Sequence, residues 1–389
     1  MRITQSYNNE CTNKKVVVYG AGRYGELAYW GLKAIGIKPL CFVDRMLAGK
    51  RYFDVEVIHP EDVTKYKEYV VLLASLNYFN EMLFHAQKSG CKEIYDILDL
   101  ILLEYDESVL TEYAKDEKHN YEKYKNVVEN AGNNKLVINH CEIVVTESCT
   151  LRCKDCANLM QYYEKPEIFD IEDIIRCLDR LMNSIDMLLE MRILGGEPFI
   201  NPNLGKLVAY YTDNPKIKRI TIYTNSTLMP SQETVEFLKH KKVSVHMSDY
   251  GAVSKKIGEL DDMLSANNIG HYIHKYEEWT DLGKPVKRNY TQEALQKMYE
   301  SCIMAHCFSF YRGKLYTCPR AGHGERLGLF KNCKNDYIDF STETPINEIR
   351  KIIRKLIEKT EYITACEYCN GCSSLSSKIE AATQVNYDN

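Results

Sequence analysis

Cys149, Cys153 and Cys156 stand at Cys-x3-Cys-x2-Cys spacing directly after a short apolar strand pattern at Glu142–Val145. Thiolates this close in sequence can wrap one face of an iron–sulfur cube, and soft thiolate ligands select iron–sulfur or zinc. A structural zinc wants a fourth ligand, and none is adjacent. A three-cysteine set on a cube also leaves one iron open to a small molecule. Three polar turns follow at the ends of later strand patterns. Gly195-Gly196-Glu197-Pro198 joins glycines that permit close backbone approach to a carboxylate able to accept from an ammonium group. Tyr223-Thr224-Asn225-Ser226 and His246-Met247-Ser248-Asp249 end the next two strands. Each alone reads as a turn or a cap. Four in order at strand C-termini is the placement of an α/β-barrel active site.

A second set of thiols lies further on. Cys302 and Cys307 precede a strand pattern at Phe308–Tyr311, Gly313 is a hairpin turn, and the return arm Leu315–Thr317 ends at Cys318-Pro319. Cys366-x2-Cys369-x2-Cys372 follows. A CxxC with a distant pair is also zinc-like. Arg320 and His323 either face this chemistry or lie in a surface loop. Cys333 has no partner at useful spacing and reads as structural. Cys11, Cys41, Cys91, Cys141 and Cys177 are scattered singly, and isolated cysteines are usually small buried hydrophobes.

The third constellation is N-terminal. Gly20-x-Gly22-x2-Gly25 follows the strand pattern Lys15–Gly20 and opens a helix from about Tyr24 to Ile35, and Asp44 ends the next strand, Lys38–Val43. That is the context in which a glycine turn holds a diphosphate at a helix N-terminus and an acid accepts from a ribose hydroxyl. The other reading is a docking or scaffold domain with an empty glycine turn.

The elements that position these residues fall into four stretches. Residues 1–103 alternate strand and helix, with further strands at Tyr69–Ala74 and Glu93–Leu98, so a parallel sheet is expected. Residues 104–136 are dense in Glu, Lys, Asn and Tyr and read as an exposed helical linker. Residues 137–290 repeat strand–helix units, with strands at Met187–Leu194, Arg219–Tyr223, Val243–Met247 and Gly270–Lys275. Helix Asp170–Ile185 carries Ile171, Ile174, Ile175, Leu178, Leu181 and Met182 on one face. Residues 291–389 hold the remaining cysteine groups. At 389 residues the chain is long enough for two or three domains. Lys plus Arg is 50 against 54 Asp plus Glu, a net charge of −4, which gives no reason to expect nucleic-acid binding. No apolar run approaches the ~20 residues of a membrane span. Met1–Lys15 lacks an export pattern. Fifteen cysteines in such a chain point to metal or redox chemistry in a reducing cytoplasm instead of to disulfides.

Over about residues 141–290 the chain resembles the radical S-adenosylmethionine (radical SAM) family, on the CxxxCxxC motif, the Gly-Gly-Glu-Pro turn and the later strand ends in order. The resemblance implies a partial (β/α)6 barrel in which Cys149, Cys153 and Cys156 bind a [4Fe-4S] cluster. The open iron chelates S-adenosylmethionine. Glu197 and the adjoining backbone of Gly195, Gly196 and Pro198 hold the methionine amine, and Asn225, Ser226 and Ser248 are candidates for the ribose or carboxylate. One electron then cleaves the sulfonium to methionine and a 5′-deoxyadenosyl radical, which takes a hydrogen atom from substrate while the protein orients and dries the site. Asp155 departs from the family, where an aromatic residue often precedes the third cysteine and covers the adenine. Trp279, Asp281 and Gly283 either close the cavity or form a surface turn.

Gly313-x4-Cys318 resembles the hairpin of SPASM/twitch extensions. It implies one auxiliary [4Fe-4S] cluster on Cys318, Cys366 and Cys369, with Cys302 or Cys307 as the fourth ligand and Cys372 as a spare. The N-terminal stretch, including Asp54–Asp62, resembles the small Rossmann-like domains that precede bacterial sugar acyltransferases, which implies a nucleotide-sugar at Gly20, Gly22, Gly25 and Asp44. The expectation is therefore a cytoplasmic radical SAM oxidoreductase or epimerase acting on a sugar or nucleotide-sugar and fed electrons by a flavodoxin or ferredoxin. The alternatives are a maturase of a ribosomal peptide and a non-catalytic nucleotide-binding iron–sulfur protein.

Overall fold

The computed structural model describes residues 5–6, 15–76, 78–131, 135–357, 361–373 and 376–385. Cys11 lies outside the described residues, as does most of the stretch read for an export signal. The chain divides into two compact units, Met1–Lys135 and Leu136–Asn389. Among the described residues no helix is long and apolar enough to cross a membrane.

The first unit is built on seven strands: β1 (Gln5–Ser6), β2 (Val16–Tyr19), β3 (Cys41–Val43), β4 (Arg51–Tyr52), β5 (Val55–Ile58), β6 (Val70–Leu73) and β7 (Glu93–Asp96). Its helices are α1 (Arg23–Ala34), α2 (Phe79–Lys88), α3 (Leu98–Ile101), α4 (Glu112–His119) and α5 (Glu122–Asn130). The sheet order is β1-β7-β6-β2-β3-β5-β4, and every pair is parallel except β4–β5. β2 and β6 are buried along their whole length, which is why both read as continuous apolar runs. The order in which successive strands are added reverses between β2 and β6, and Gly20 sits at that point. Its φ is +112°, and a Cβ there would lie 2.4 Å from the Ala74 carbonyl oxygen, so both conformation and space require glycine. A Cβ on Gly25 would lie 2.3 Å from the Gly20 carbonyl oxygen, so this glycine seats α1 against the turn.

Residues 104–135 are not an exposed linker: α4 and α5 belong to the first unit. Tyr124 on α5 is fully buried, donates to the Leu73 carbonyl (2.5 Å) and accepts from Ile97 N–H (3.0 Å). Glu26, 4% exposed on α1, accepts from the Thr111 backbone and hydroxyl at 2.7 and 2.8 Å. The polar composition misled because several of these polar atoms close buried hydrogen bonds. Tyr124→Phe is expected to destabilise this unit by about 1–2 kcal/mol, since it leaves a buried carbonyl and N–H unpaired. Urea unfolding of the metal-free protein checks this.

The second unit holds β8 (Val137–Val144), β9 (Met187–Leu194), β10 (Ile217–Thr224), β11 (Val243–Asp249), β12 (Gly270–Lys275), β13 (Glu278–Thr280), β14 (Phe308–Tyr311), β15 (Lys314–Tyr316), β16 (Tyr337–Asp339) and β17 (Lys378–Glu380). Helices α6 (Ile171–Ser184), α7 (Leu204–Thr212), α8 (Gln232–Leu238) and α9 (Ile257–Ala266) alternate with β8 to β12, and α10 (Gln292–Glu300), α11 (Pro319–Arg326) and α12 (Ile346–Ile357) follow. One eight-stranded sheet runs β12-β11-β10-β9-β8-β14-β15-β16. It is parallel from β12 to β14, and the last two pairings are antiparallel.

This corrects the expected (β/α)6 succession. Five strands follow in order, but the sixth parallel strand, β14, lies on the other edge of β8. After β12 the chain enters β13, which pairs outside this sheet with β17, and passes through α10 before returning.

The register fixes which residues share a face. Cys141, Met191, Ile220 and Val243 form one cross-strand row on the helix side, and Ile143, Ile193, Ile222 and Val245 form the next. All eight lie in the main core with the apolar stripe of α6, whose start Asp170 caps by accepting from Glu172 N–H. Cys177 is in this core, as expected for an isolated cysteine, and its sulfur would lie 3.2 Å from a Cβ on Gly313. The opposite face carries the rows Glu142, Arg192, Thr221, Ser244 and, beyond Tyr223, His246, Tyr272.

Candidate active site at the strand ends of the second unit

The Gly195–Gly196 turn at the end of β9 lies against the loop that leaves β8. Gly196 N–H donates to the Thr146 carbonyl (3.0 Å) and Glu197 N–H to the Ser148 carbonyl (2.9 Å). A Cβ on Gly195 would stand 2.3 Å from Thr146 O, and one on Gly196 would stand 2.1 Å from Ser148 O and 2.8 Å from Cys149 Cβ. The close approach these glycines permit is therefore to the cysteine loop itself.

Glu197 is fully buried and ties this turn to the end of β10. One oxygen accepts from Thr224 Oγ1 (2.9 Å) and Phe199 N–H (3.2 Å), the other from Asn225 N–H (2.8 Å). Burial pushes its carboxyl up to about 7, against these three donors. Asn225 reaches back to the loop, its amide donating to Thr150 Oγ1 (3.1 Å) and Cys149 Sγ (3.5 Å). Ser226 adopts φ +60°, and its buried hydroxyl has no partner among the described residues. Ser254, which sequence reasoning missed, donates to the carbonyls of Asn225 (3.0 Å) or Ser248 (3.1 Å) and so ties the ends of β10 and β11.

Each of the three thiols is met by N–H groups. Cys149 Sγ accepts from Leu151 N–H (3.4 Å) as well as from Asn225. Cys153 Sγ accepts from the Gln384 amide (3.2 Å). Burial pushes these two up to about 12 and about 11. Burial also raises Cys156, opposed by the backbone N–H groups of Met160, Asn158 and Leu159 and by the Arg320 guanidinium. A buried neutral thiol is a weak acceptor and gains little from such donors. Thiolates on a cluster gain much. The donor set therefore fits three iron-bound thiolates. Among the described residues no group of three or more His, Cys, Asp or Glu side chains is arranged to hold a single metal ion.

The C-terminal cysteines separate into two environments. Burial raises Cys318 well above the usual thiol range, reinforced by Cys302, Cys369 and Cys366, so these four lie within electrostatic reach of one another. Cys372 stands at the edge of this group, beside Cys369. Cys307 is also within electrostatic reach of Cys318, but its hydrogen-bond partners lie elsewhere. It donates to Glu142 Oε1 (3.4 Å) and lies 3.4 Å from His140 Nε2. Cys333 is exposed. Arg320 and His323 are buried on α11. Arg320 donates to Gly283 O (2.8 Å) and, with Asp155, Cys156 and Gly283, lines a small pocket of about 10 Å³. His323 Nδ1 lies 2.8 Å from Tyr163 Oη. Trp279 packs edge-on to Tyr250, 5.4 Å between ring centres.

Around Cys307 the inward rows form a charged interior that sequence reasoning missed. Glu190 accepts from Arg192 (2.9 Å), Arg219 (2.7 Å) and Thr221 (2.8 Å). His246 stacks on Tyr223 at 4.5 Å and is 6% exposed. Glu142 Oε2, Arg219 Nε and His246 Nδ1 are buried with no hydrogen-bond partner among the described residues. Burial raises Glu142 to about 7, with Arg192 and Cys307 opposing. A carboxyl whose folded value lies above its unfolded one (about 4.5) stabilises the fold fully below about pH 4.5, and that contribution is lost as pH rises through about 7. Glu142→Gln is therefore expected to gain on wild type in urea midpoint from pH 5 to pH 8. A pH-independent difference between the two proteins would sink this assignment.

In the first unit, Asp44 does not hold a free carboxylate toward the glycine turn. Oδ2 accepts from Ala21 N–H (3.1 Å), and Oδ1 accepts from Met46 and Leu47 N–H (2.9 and 3.2 Å). Gly22 has open space around it, with nothing within 4 Å of a Cβ.

Several known proteins are similar to parts of this chain. A GTP 3',8-cyclase of Syntrophomonas wolfei subsp. wolfei is 33% identical over 97 residues, 23% of this chain and 28% of that protein. One from Clostridium acetobutylicum is 27% identical over 143 residues, 33% of this chain and 44% of that protein. The chain thus spans less than half the length of these curated relatives. Among solved structures, anSMEcpe with bound AdoMet aligns at TM-score 0.39 and 15% identity over 64% of this chain and 93% of that one. BtrN in complex with AdoMet and 2-DOIA aligns at 0.37 and 15% over 64% and 98%. Residues 143–251 match the Radical SAM superfamily, and the cysteine loop, the two-glycine turn and the ends of β10 and β11 lie within that match.

Proposed function

We propose that this chain is a radical SAM enzyme that removes a hydrogen atom from a small polar substrate, a sugar or nucleotide-sugar, for oxidation or epimerisation. The observation that carries the substrate class is the inward row Glu142, Arg192, Thr221, Ser244, with Glu190 and His246 beside it. Packed barrels fill that space with branched apolar layers. Here it is charged, and three buried polar atoms lack a partner among the described residues, which suits a ligand rich in hydroxyl groups. When bound, a [4Fe-4S] cluster with S-adenosylmethionine supplies a 5′-deoxyadenosyl radical.

In this reading Cys149, Cys153 and Cys156 are the cluster ligands. The Glu197 carboxylate is occupied in holding the turn rigid, so the methionine amine falls to the turn's backbone carbonyls. The unpartnered Ser226 hydroxyl, with Asn225 and Ser248, faces ribose or carboxylate. Cys302, Cys318, Cys366 and Cys369 hold an auxiliary cluster in a twitch-like extension, with Cys372 beside it, and Cys307 lies in the substrate cavity. A flavodoxin or ferredoxin supplies electrons.

The first unit is proposed as a Rossmann-like nucleotide-sugar domain. Its order β5-β3-β2-β6-β7 is the 3-2-1-4-5 order of dinucleotide-binding sheets. Asp44 serves there to hold the turn, since backbone groups fill its oxygens.

Anaerobic incubation of the reconstituted full chain with S-adenosylmethionine, dithionite and a panel of sugars, nucleotide-sugars and GTP tests the reading. The expected result is 5′-deoxyadenosine release stimulated by one sugar-bearing compound. A cluster-loaded protein that never releases it refutes radical chemistry. Stimulation by GTP alone refutes the substrate class.

A further inference from the structure

Residues 383–385 lie as an antiparallel strand along the middle of the cysteine loop. Lys154 N–H donates to the Thr383 carbonyl (2.8 Å) and Val385 N–H to the Arg152 carbonyl (2.8 Å), which pairs Cys153 with Gln384. The segment is anchored just upstream by β17, which pairs with β13 in the register Ile379↔Trp279. Between the two pairings Ala382 adopts φ +54°. A non-glycine residue held there costs on the order of 1 kcal/mol, so the surrounding pairing must impose it.

The Gln384 amide is specified at every polar position. Its Oε1 accepts from Arg152 N–H (2.8 Å). Its Nε2 donates to the Ala382 carbonyl (2.6 Å) and to Cys153 Sγ (3.2 Å). A flipped amide would set Nε2 against the Arg152 N–H and its oxygen against the Ala382 carbonyl. The donor orientation toward sulfur is thus fixed by the backbone of the loop that the amide serves. Cys149 and Cys156 receive their N–H groups from residues 151–160 and 225, all within the matched radical SAM region. Cys153 receives a side-chain donor from more than two hundred residues away (|i−j| = 231).

We propose that Gln384 is a positioning residue that sets the reduction potential of the cluster held by Cys149, Cys153 and Cys156, through a fixed N–H···S hydrogen bond to Cys153. The proposal rests on the three-cysteine reading above. An N–H donor on a ligand sulfur stabilises the reduced, more negative cluster and raises its potential.

Two substitutions have only the loss of the donor in common. Gln384→Glu keeps an oxygen for the Arg152 N–H and removes the donor. Gln384→Met keeps length and neutrality and also removes it. Both are measured in the full chain, anaerobically, by redox titration of the EPR signal that is absent in Cys149→Ala. Iron and sulfide content confirm loading. In each variant the reduced-to-oxidised ratio at a fixed potential is expected to fall about tenfold, which is about 59 mV for a one-electron couple. A purely structural strap predicts unchanged potential in whatever fraction stays loaded. Loaded variants that titrate at the wild-type potential overturn the proposal and leave the cluster assignment standing. A wild-type protein that takes up no iron through Cys149, Cys153 and Cys156 overturns both.

Discussion

Gly196→Ala is expected to abolish iron uptake at the three-cysteine loop while leaving the first unit folded. The added Cβ would stand 2.1 Å from Ser148 O and 2.8 Å from Cys149 Cβ, and the nearest of these atoms is backbone and cannot swing away. The loop and the turn would have to part. That breaks the Gly196–Thr146 and Glu197–Ser148 hydrogen bonds, each worth about 1 kcal/mol. Overpacking adds about 1–3 kcal/mol. A local cost of about 3–5 kcal/mol is enough to hold Cys149 away from its neighbours. Gly22→Ala is the matched control, because nothing lies within 4 Å of its Cβ; it should leave iron uptake intact and cost about 1 kcal/mol or less in urea stability, the loss of a favoured N-cap residue of α1. Iron and sulfide analysis with urea unfolding reads both. Full loading of Gly196→Ala would show that the loop does not depend on this contact.

Cys318→Ala and Cys307→Ala are expected to part company. Cys318 lies within reach of Cys302, Cys366 and Cys369, so its loss should remove about one cluster, roughly four irons per chain, from the reconstituted protein. Cys307 also lies within reach of Cys318, but its thiol is hydrogen-bonded to Glu142 and lies beside His140, so its loss should leave iron content unchanged and alter only what the inward row can bind. Equal iron loss in the two variants would return Cys307 to the ligand set. The sequence spacing left Cys302 and Cys307 as alternatives because both precede the same hairpin, Cys302 well upstream of Gly313 and Cys307 much closer to it. Only the pairing of β14 beside β8 turns Cys307 toward Glu142.

The strands were legible where burial is two-sided: Met187–Leu194 and Phe308–Tyr311 are the ranges expected from the residues, and the largely exposed edge strand Gly270–Lys275 has its expected range as well. The order of chemical groups at the strand ends was also legible, since each turn follows its strand directly. Their contacts were less so. Glu197 and Asn225 hold the loop through atoms that motif reading reserves for a ligand. Gln384 sits beyond any local pattern, because its partner is set by register between distant segments. The charged interior left a trace that was passed over. His140, Glu142, Glu190 and Arg192 alternate with Cys141, Met191 and Ile193 along two strands, a polarity that a packed barrel would not carry. Residues 104–135 failed for a different reason. Composition reports how polar a segment is, and not whether its polar atoms find buried partners, as Tyr124 does.

The placement of β14 has a consequence for how the chain is made. β8 emerges from the ribosome long before the strand that will cover its second edge: His140 and Cys307, which meet across that edge, are 167 residues apart. At ordinary synthesis rates the delay is roughly 8–30 s. Throughout it, an apolar strand edge stands open beside three unligated thiols, a template for pairing with other nascent chains. Soluble yield should therefore depend on translation speed and temperature more steeply than on the stability of the finished protein.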